Sequence, residues 1–181
     1  MTEPRQSPST VVFTLDREIG CQVTLGNLSL TTHCGHAIVQ PGADARRCEC
    51  GQLGHLNAYA SETAVVQRAA EALDAGRSSS LSERLAAGDV LNSALVAACA
   101  EAGDPLALEI VLETARCLAV GIVNMMHTVD PDCVRLQGPM KFGGRESPLG
   151  RRFLACLRDE VRRLTFPLLA EQTVIDFAEA G

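Results

Sequence analysis

The chain has 181 residues, of which 46% are hydrophobic and 21% charged, and a formal net charge of −6. That balance excludes an intrinsically disordered chain and suits one domain with a sizeable core. The acidic excess argues against a general nucleic-acid binder, because phosphate-backbone affinity comes from clustered Lys and Arg. The late basic stripe "RRFLACLRDEVRR" is interrupted by Asp159 and Glu160 and reads as the solvated face of a helix.

The N-terminus "MTEPRQSPSTVV" has no apolar h-region, and residues 1–10 are expected to be frayed. "TVVFTLDREIGCQVTLGNLSLTT" carries β-branched residues in two runs, which predicts strand, turn, strand, with a turn at "LGN" near the end of the second. A His/Cys-rich loop follows, and from Asn57 the periodicity becomes helical. "ASETAVVQRAAEALDAG" predicts a helix that ends where Gly76 can take the left-handed C′ position. Ser80 with Glu83 makes a capping-box pattern, and Asp89 is a candidate cap for "VLNSALVAACAEAG".

Asp104 followed by Pro105 predicts the start of a long helix to about His127, since proline at the first helical position loses no hydrogen bond. Its second half, "CLAVGIVNMM" (117–126), is apolar nearly all round and reads as a buried central helix, with Asn124 and both methionines as core filling. It is too short to span a bilayer, so no membrane segment and a cytoplasmic location are expected. "PDCVRLQG" predicts a short strand, and Ser147 with Pro148 a further helix with Phe153, Leu157, Val161 and Leu164 on one face. "TVIDFAEAG" predicts a last strand running into an unfinished turn, which completes an α/β domain.

Three of the four histidines and three of the eight cysteines fall in "HCGHAIVQPGADARRCECGQLGHLN" (33–57). In a reducing compartment cysteines at this density read as buried thiols and metal ligands, not disulfides. His36, Cys48, Cys50 and His55 supply a Cys2His2 set for zinc, whose tetrahedral shell takes thiolate sulfur and imidazole nitrogen. Gly51 and Gly54 would let the chain turn tightly around the ion. The C-x-C spacing is not that of a zinc finger, and scattered loop histidines with free thiols remain the bland alternative. His33 and Cys34 are spare.

These residues carry a family resemblance. "GHAIVQPGADARRCECGQLGHLNAYAS" resembles the signature of the ROK family of repressors and sugar kinases, which reads G-H, a spacer, then C-x-C-G-x-x-G-C-L-E-x-x-x-S. "AGDPLALEIVLETARCLAVGIVNMMHTVDPDCVRLQG" is similar to the family's buried helix and following strand, and "SPLGRRFLACLRDEVRRLTFPLLAEQTVIDFAEAG" to its last helix and strand. The resemblance covers most of the chain from Val11 and implies an actin-like ATPase (ribonuclease H-like) lobe with a zinc-binding loop. It further implies an ATP-dependent hexose kinase of glucokinase type, with ATP and Mg²⁺ as family cofactors.

In the family the G-H histidine and three cysteines hold a structural zinc, and that histidine also touches a sugar hydroxyl. Carried over, His36, Cys48 and Cys50 match, with His55 at the third cysteine. The two sugar-binding glutamates are replaced by His33 and Asn57, which can still hydrogen-bond a sugar but lack the charged acceptor. The phosphate loop L-G-T-G-x-G aligns with "LDREIG", so Asp16 and Glu18 stand at glycine positions and only Gly20 remains; Gly138 stands for a second nucleotide-side glycine. Two carboxylates repel phosphates and their side chains block the close approach a phosphate cradle needs.

The family's catalytic aspartate lies upstream of that loop and its closing D-A-G segment downstream of this chain, so residues 11–181 are expected to be a truncated C-terminal lobe. No catalytic residue is assigned, and inactivity in isolation is expected. A separately encoded N-terminal lobe and self-association through an exposed lobe interface are the partners this implies. The alternatives are a sugar-binding regulatory module and a zinc-stabilised remnant without catalysis.

Overall fold

Val11, Phe13 and Leu15 alternate with less buried neighbours and are fully buried, the period-two pattern of a strand with one face on the core. They belong to β1 (Thr10–Leu15) of a computed structural model that describes residues 8–179. β2 (Ile19–Leu25) and β3 (Leu28–Thr32) follow as antiparallel hairpin partners; β4 (Cys133–Gln137) and β5 (Val174–Phe177) add in parallel on the other side. The order is β3-β2-β1-β4-β5, a mixed sheet.

The "LGN" turn is present, with Gly26 at φ +58°, but it leads into a third strand where two were expected. β3 lies at the sheet edge with Leu28 and Leu30 exposed, so its apolar residues carry no core-facing signal. The frayed N-terminus expected over residues 1–10 falls largely on residues 1–7, outside the described residues. At Ser9 and Thr10 the structure corrects it. Ser9 is buried, its carbonyl accepts from the Asp132 and Cys133 N–H groups at 3.0 and 3.2 Å, and Thr10 opens β1.

Among the described residues seven α-helices join the sheet: α1 (Asn57–Ala60), α2 (Glu62–Asp74), α3 (Ser80–Ala86), α4 (Ser93–Glu101), α5 (Pro105–Val129), α6 (Pro148–Leu164) and α7 (Pro167–Gln172). α5 packs along α6 and α4, and Leu118, Ile122 and Met126 share one core with Phe13 of β1 and with Phe153 and Leu157 of α6. The expected central helix is therefore present, but Asn124 faces solvent and is not core filling. α7 was not expected; it starts at Pro167 and buries Leu169. The unfinished turn expected at the C-terminus ends on residues 180–181, outside the described residues. Among the described residues no helix is long and apolar enough to cross a membrane.

Cap positions shift where two candidates compete. The α3 cap is Ser79, whose hydroxyl accepts from the Leu81 N–H, while Ser80 lies inside the helix. The α4 cap is Asn92, which accepts from the Leu95 N–H; Asp89 pairs with Arg84 instead. Asp104 caps α5 through the Ala107 N–H at 2.8 Å and also accepts from Ser79 Oγ, Ser80 N–H and Ser80 Oγ.

Burial pushes the Asp104 carboxyl up, but these four donors outweigh it and hold the group below the ordinary carboxylate range. Because the folded-state value is depressed, its contribution is full above the unfolded-state value and is lost as pH falls through the folded-state value. Asp104→Ala is expected to destabilise by about 1–3 kcal/mol at neutral pH, from one lost cap and a set of charge-assisted bonds. Urea melts of the two proteins should converge as the pH is lowered into the acid range; a constant gap down to acid pH would refute the assignment.

Candidate metal-bearing cleft

The loop between β3 and α1 is braced by its own backbone. Isolated antiparallel bridges join Ile38 to His55 and Arg47 to Leu53. Gly54 donates its N–H to the Arg46 carbonyl at 2.9 Å, and its own carbonyl accepts from the Val39 and Gln40 N–H groups at 2.8 and 3.3 Å. Gly54 has φ +79°, and a Cβ there would stand 2.0 Å from the Gln40 carbonyl oxygen, so only glycine fits.

Arg46 fastens this loop to the helices. Its N–H donates to the Tyr59 hydroxyl at 2.7 Å, and its guanidinium forms a two-point pair with Glu71 of α2 at 3.0 and 2.6 Å. Tyr59 and Cys48 in turn pack with Cys117 of α5, whose thiol burial pushes up to about 11 and keeps protonated.

This scaffold gathers four donors. One ligand atom from each of His36, Cys48, Cys50 and His55 lies within 4.8 Å of every other. His36 Nδ1 is 3.2 Å from His55 Nδ1 and 4.0 Å from Cys48 Sγ, and Cys50 Sγ is 3.2 Å from His55 Nδ1. Ligands about 2.0–2.3 Å from a tetrahedral ion stand roughly 3.3–3.8 Å apart, so a small closure of the loop suffices to hold a metal ion. Burial pushes the Cys48 thiol up, and a bound cation would reverse that by taking the thiolate. All eight cysteines are free.

The cluster borders a cleft of about 260 Å³ lined by His36, Cys48 and Cys50 together with Asn57, Arg17 and Glu18. His36 turns Nδ1 to the cluster and also lines the cleft. Asn57 spends its carbonyl oxygen on the Ile19 N–H at 2.8 Å, so its amide N–H₂ is what it can offer. A Cβ at Gly35 would come within 2.5 Å of that oxygen, which explains a glycine before His36. His33 is exposed, lies 6.5 Å from His36 between ring centroids, and is not among the cleft residues.

Of the two glycines expected on a nucleotide side, Gly20 is a strand residue opposite Thr14. Gly138 follows β4 at φ +101°, with Leu15 so close that a Cβ would meet its carbonyl oxygen at 2.4 Å. Both border the end of the sheet from which the β1–β2 turn projects. That turn, Asp16-Arg17-Glu18, is exposed. The sequence marks Glu18 only as a departure from a phosphate loop and does not single out Arg17; that both line the cleft follows from the hairpin register.

The sheet order, the parallel and antiparallel pairing and the crossing helices define the actin-like ATPase fold found in sugar kinases. Within it, the chain belongs to the ROK family, whose sequence model matches residues 18–165. A C(7)-cyclitol 7-kinase from Streptomyces hygroscopicus subsp. limoneus is 32% identical over 148 residues, covering 79% of this chain and 41% of that protein. The crystal structure of a ROK family glucokinase from Streptomyces griseus in complex with glucose and AMPPNP superposes with a TM-score of 0.79 at 24% identity, over 97% of this chain and 57% of that one. A ROK family transcriptional regulator, a homolog of the E. coli MLC protein, gives a TM-score of 0.79 at 20% identity, over 94% and 42%. The chain thus spans about two fifths of the length of the kinase relative it matches.

Proposed function

We propose that this chain is a sugar-binding lobe of the ROK kinase type, in which zinc held by His36, Cys48, Cys50 and His55 anchors one wall of a monosaccharide cleft. The observation that carries the reading is the shared residue: His36 belongs both to the four-donor cluster and to the cleft lining. Four protein ligands close the shell, so the ion's role is structural and it activates no water. It would hold His36 so that Nε2 faces a sugar hydroxyl, with the Asn57 N–H₂ as a further donor. His33 is exposed and does not line the cleft, so the reading gives it no sugar contact.

The nucleotide side does not fit as well. A phosphate cradle needs bare backbone N–H groups, and here Asp16 and Glu18 place side chains and negative charge at the turn where ATP would lie beside Gly20 and Gly138. Phosphoryl transfer rests on positioning and electrostatics, and these residues supply neither, so no catalytic residue is assigned within the chain.

The test has two readouts on zinc-loaded, folded protein. Glucose should raise the melting temperature in a dose-dependent way. A coupled assay for ADP release with millimolar glucose, ATP and Mg²⁺ should show no turnover. Turnover that disappears in Asp16→Ala would overturn the inactive reading and make the turn itself catalytic.

A further inference from the structure

Two cysteines outside the four-donor set meet in the core. Cys21 of β2 lies opposite Thr32 of β3 in the antiparallel register, and Cys34 follows two residues on, where the chain leaves the sheet in a 3-10 turn, Cys34–His36. Cys21 and Cys34 are 3% and 5% exposed, share one core, and their thiols hydrogen-bond each other. Thr32 Oγ1 lies against both sulfurs, yet it is buried without a close hydrogen-bond partner. Of the other cysteines outside the set, Cys133 meets Thr10 Oγ1 at 3.2 Å, Cys117 donates to the Glu113 carboxylate at 3.8 Å, and Cys156 donates to the Leu112 carbonyl at 3.7 Å. Cys21 and Cys34 are thus a thiol pair at the base of the loop that carries His36.

We propose that Cys21 and Cys34 form a reversible disulfide when the chain meets hydrogen peroxide, and that this bond locks the base of the metal loop onto the sheet. The reaction balances with peroxide alone. One sulfur attacks a peroxide oxygen, the O–O bond breaks, and the released hydroxide takes the thiol proton to leave as water. The second sulfur then displaces the hydroxyl of the sulfenic acid, which departs with the second thiol proton as another water. Two thiols are oxidised and one peroxide is reduced. Burial selects both oxidant and product: it admits a molecule of peroxide's size but not a bulky disulfide such as oxidised glutathione, and a sulfenic acid on either sulfur meets the other thiol before solvent. Geometry favours the bond as well, because thiols already in contact reach bonding distance by side-chain rotation with little backbone movement. The consequence falls on the loop. Gly35 sits so tightly that a Cβ would stand 2.6 Å from the Ile19 carbonyl oxygen and 2.5 Å from Asn57 Oδ1, and His36 follows it directly. A bond at Cys34 therefore fixes the segment that enters the four-donor cluster; its effect on zinc rests on the metal reading above.

Peptide mapping tests this. Trypsin cleavage after Arg17 and Arg46 gives peptide 18–46, whose only cysteines are Cys21 and Cys34, while peptide 48–68 carries Cys48 and Cys50. The folded, zinc-loaded chain is exposed to millimolar hydrogen peroxide, unfolded in an alkylating agent and digested. Peptide 18–46 is expected to lose two hydrogens and take no label, and to take two labels when dithiothreitol precedes alkylation. The melting temperature should rise by about 6–12 °C on oxidation and fall back on reduction, the scale of a disulfide closing a short loop. Zinc release to a chromophoric chelator should slow severalfold. Cys21→Ser and Cys34→Ala should each cancel these changes, whereas Cys99→Ser, at a buried cysteine outside the pair, should preserve them. Peptide 18–46 that keeps both thiols, or gains oxygen instead of losing hydrogens, overturns the disulfide whatever peptide 48–68 does. A disulfide that leaves both the midpoint and zinc release unchanged overturns the lock. The mapping and the midpoint need no metal, so a chain that binds no zinc refutes the metal reading alone, and peptide 18–46 still decides the disulfide.

Discussion

Stripping zinc from the loaded chain with a chelator is expected to lower the melting temperature by about 8–16 °C. The ion binds only the folded loop, so free zinc at a thousandfold over its dissociation constant adds about 4 kcal/mol of stability. In a domain of this size each kcal/mol moves the midpoint by about 2–4 °C. Unlike a zinc finger, which unfolds outright without its ion, this domain should stay folded, because Phe13, Leu118, Ile122 and Phe153 form a core independent of the loop. Cys48→Ser should reproduce the chelated protein, with about one zinc per chain falling to none by metal analysis. Retention of full zinc by Cys48→Ser, or an unchanged midpoint after chelation, would show that the four donors do not form the site.

Gly54→Ala is expected to be the most damaging single methyl group in the loop. The added Cβ meets the Gln40 carbonyl oxygen at 2.0 Å and the backbone is held at φ +79°. Overpacking together with a left-handed non-glycine residue gives a cost of about 2–5 kcal/mol. The hydrogen bonds that Gly54 makes to Arg46, Val39 and Gln40 join the two halves of the loop, so the same change should separate His36 from Cys48 and weaken zinc binding. Gly51→Ala is the control. Its φ is +90° but a Cβ there has open space, so only the backbone term of about 1–2 kcal/mol applies. Equal zinc affinities in the two variants, measured by competition with a chromophoric chelator, would refute the brace.

The four-residue His/Cys cluster was legible because its signal is local: C-x-C and the flanking glycines act over a few residues, and the structure brings the four candidate donor atoms together. The α5 start was equally legible, since Asp104 and Pro105 adjoin the helix they begin. Where two polar residues competed for one cap, as Ser79 with Ser80 and Asn92 with Asp89, the spacing alone did not decide. Asp104 draws the Ser80 hydroxyl and N–H, and Arg84 draws Asp89, from outside each helix start.

By itself, then, the sequence determined the family, the four candidate donors and most helices, because each depends on residue type at short range. Tertiary structure decided what those donors face. The β1–β2 register places Arg17 and Glu18 in a cleft with His36 and Asn57, and the same register brings the Ile19 N–H to the Asn57 oxygen, which leaves only the amide N–H₂ free to donate. β3 likewise depends on pairing with β2 at an exposed edge, where no buried face writes a pattern into the chain. Such features are set by hydrogen bonds between strands and helices far apart in sequence, and a reading of neighbouring residues does not contain them.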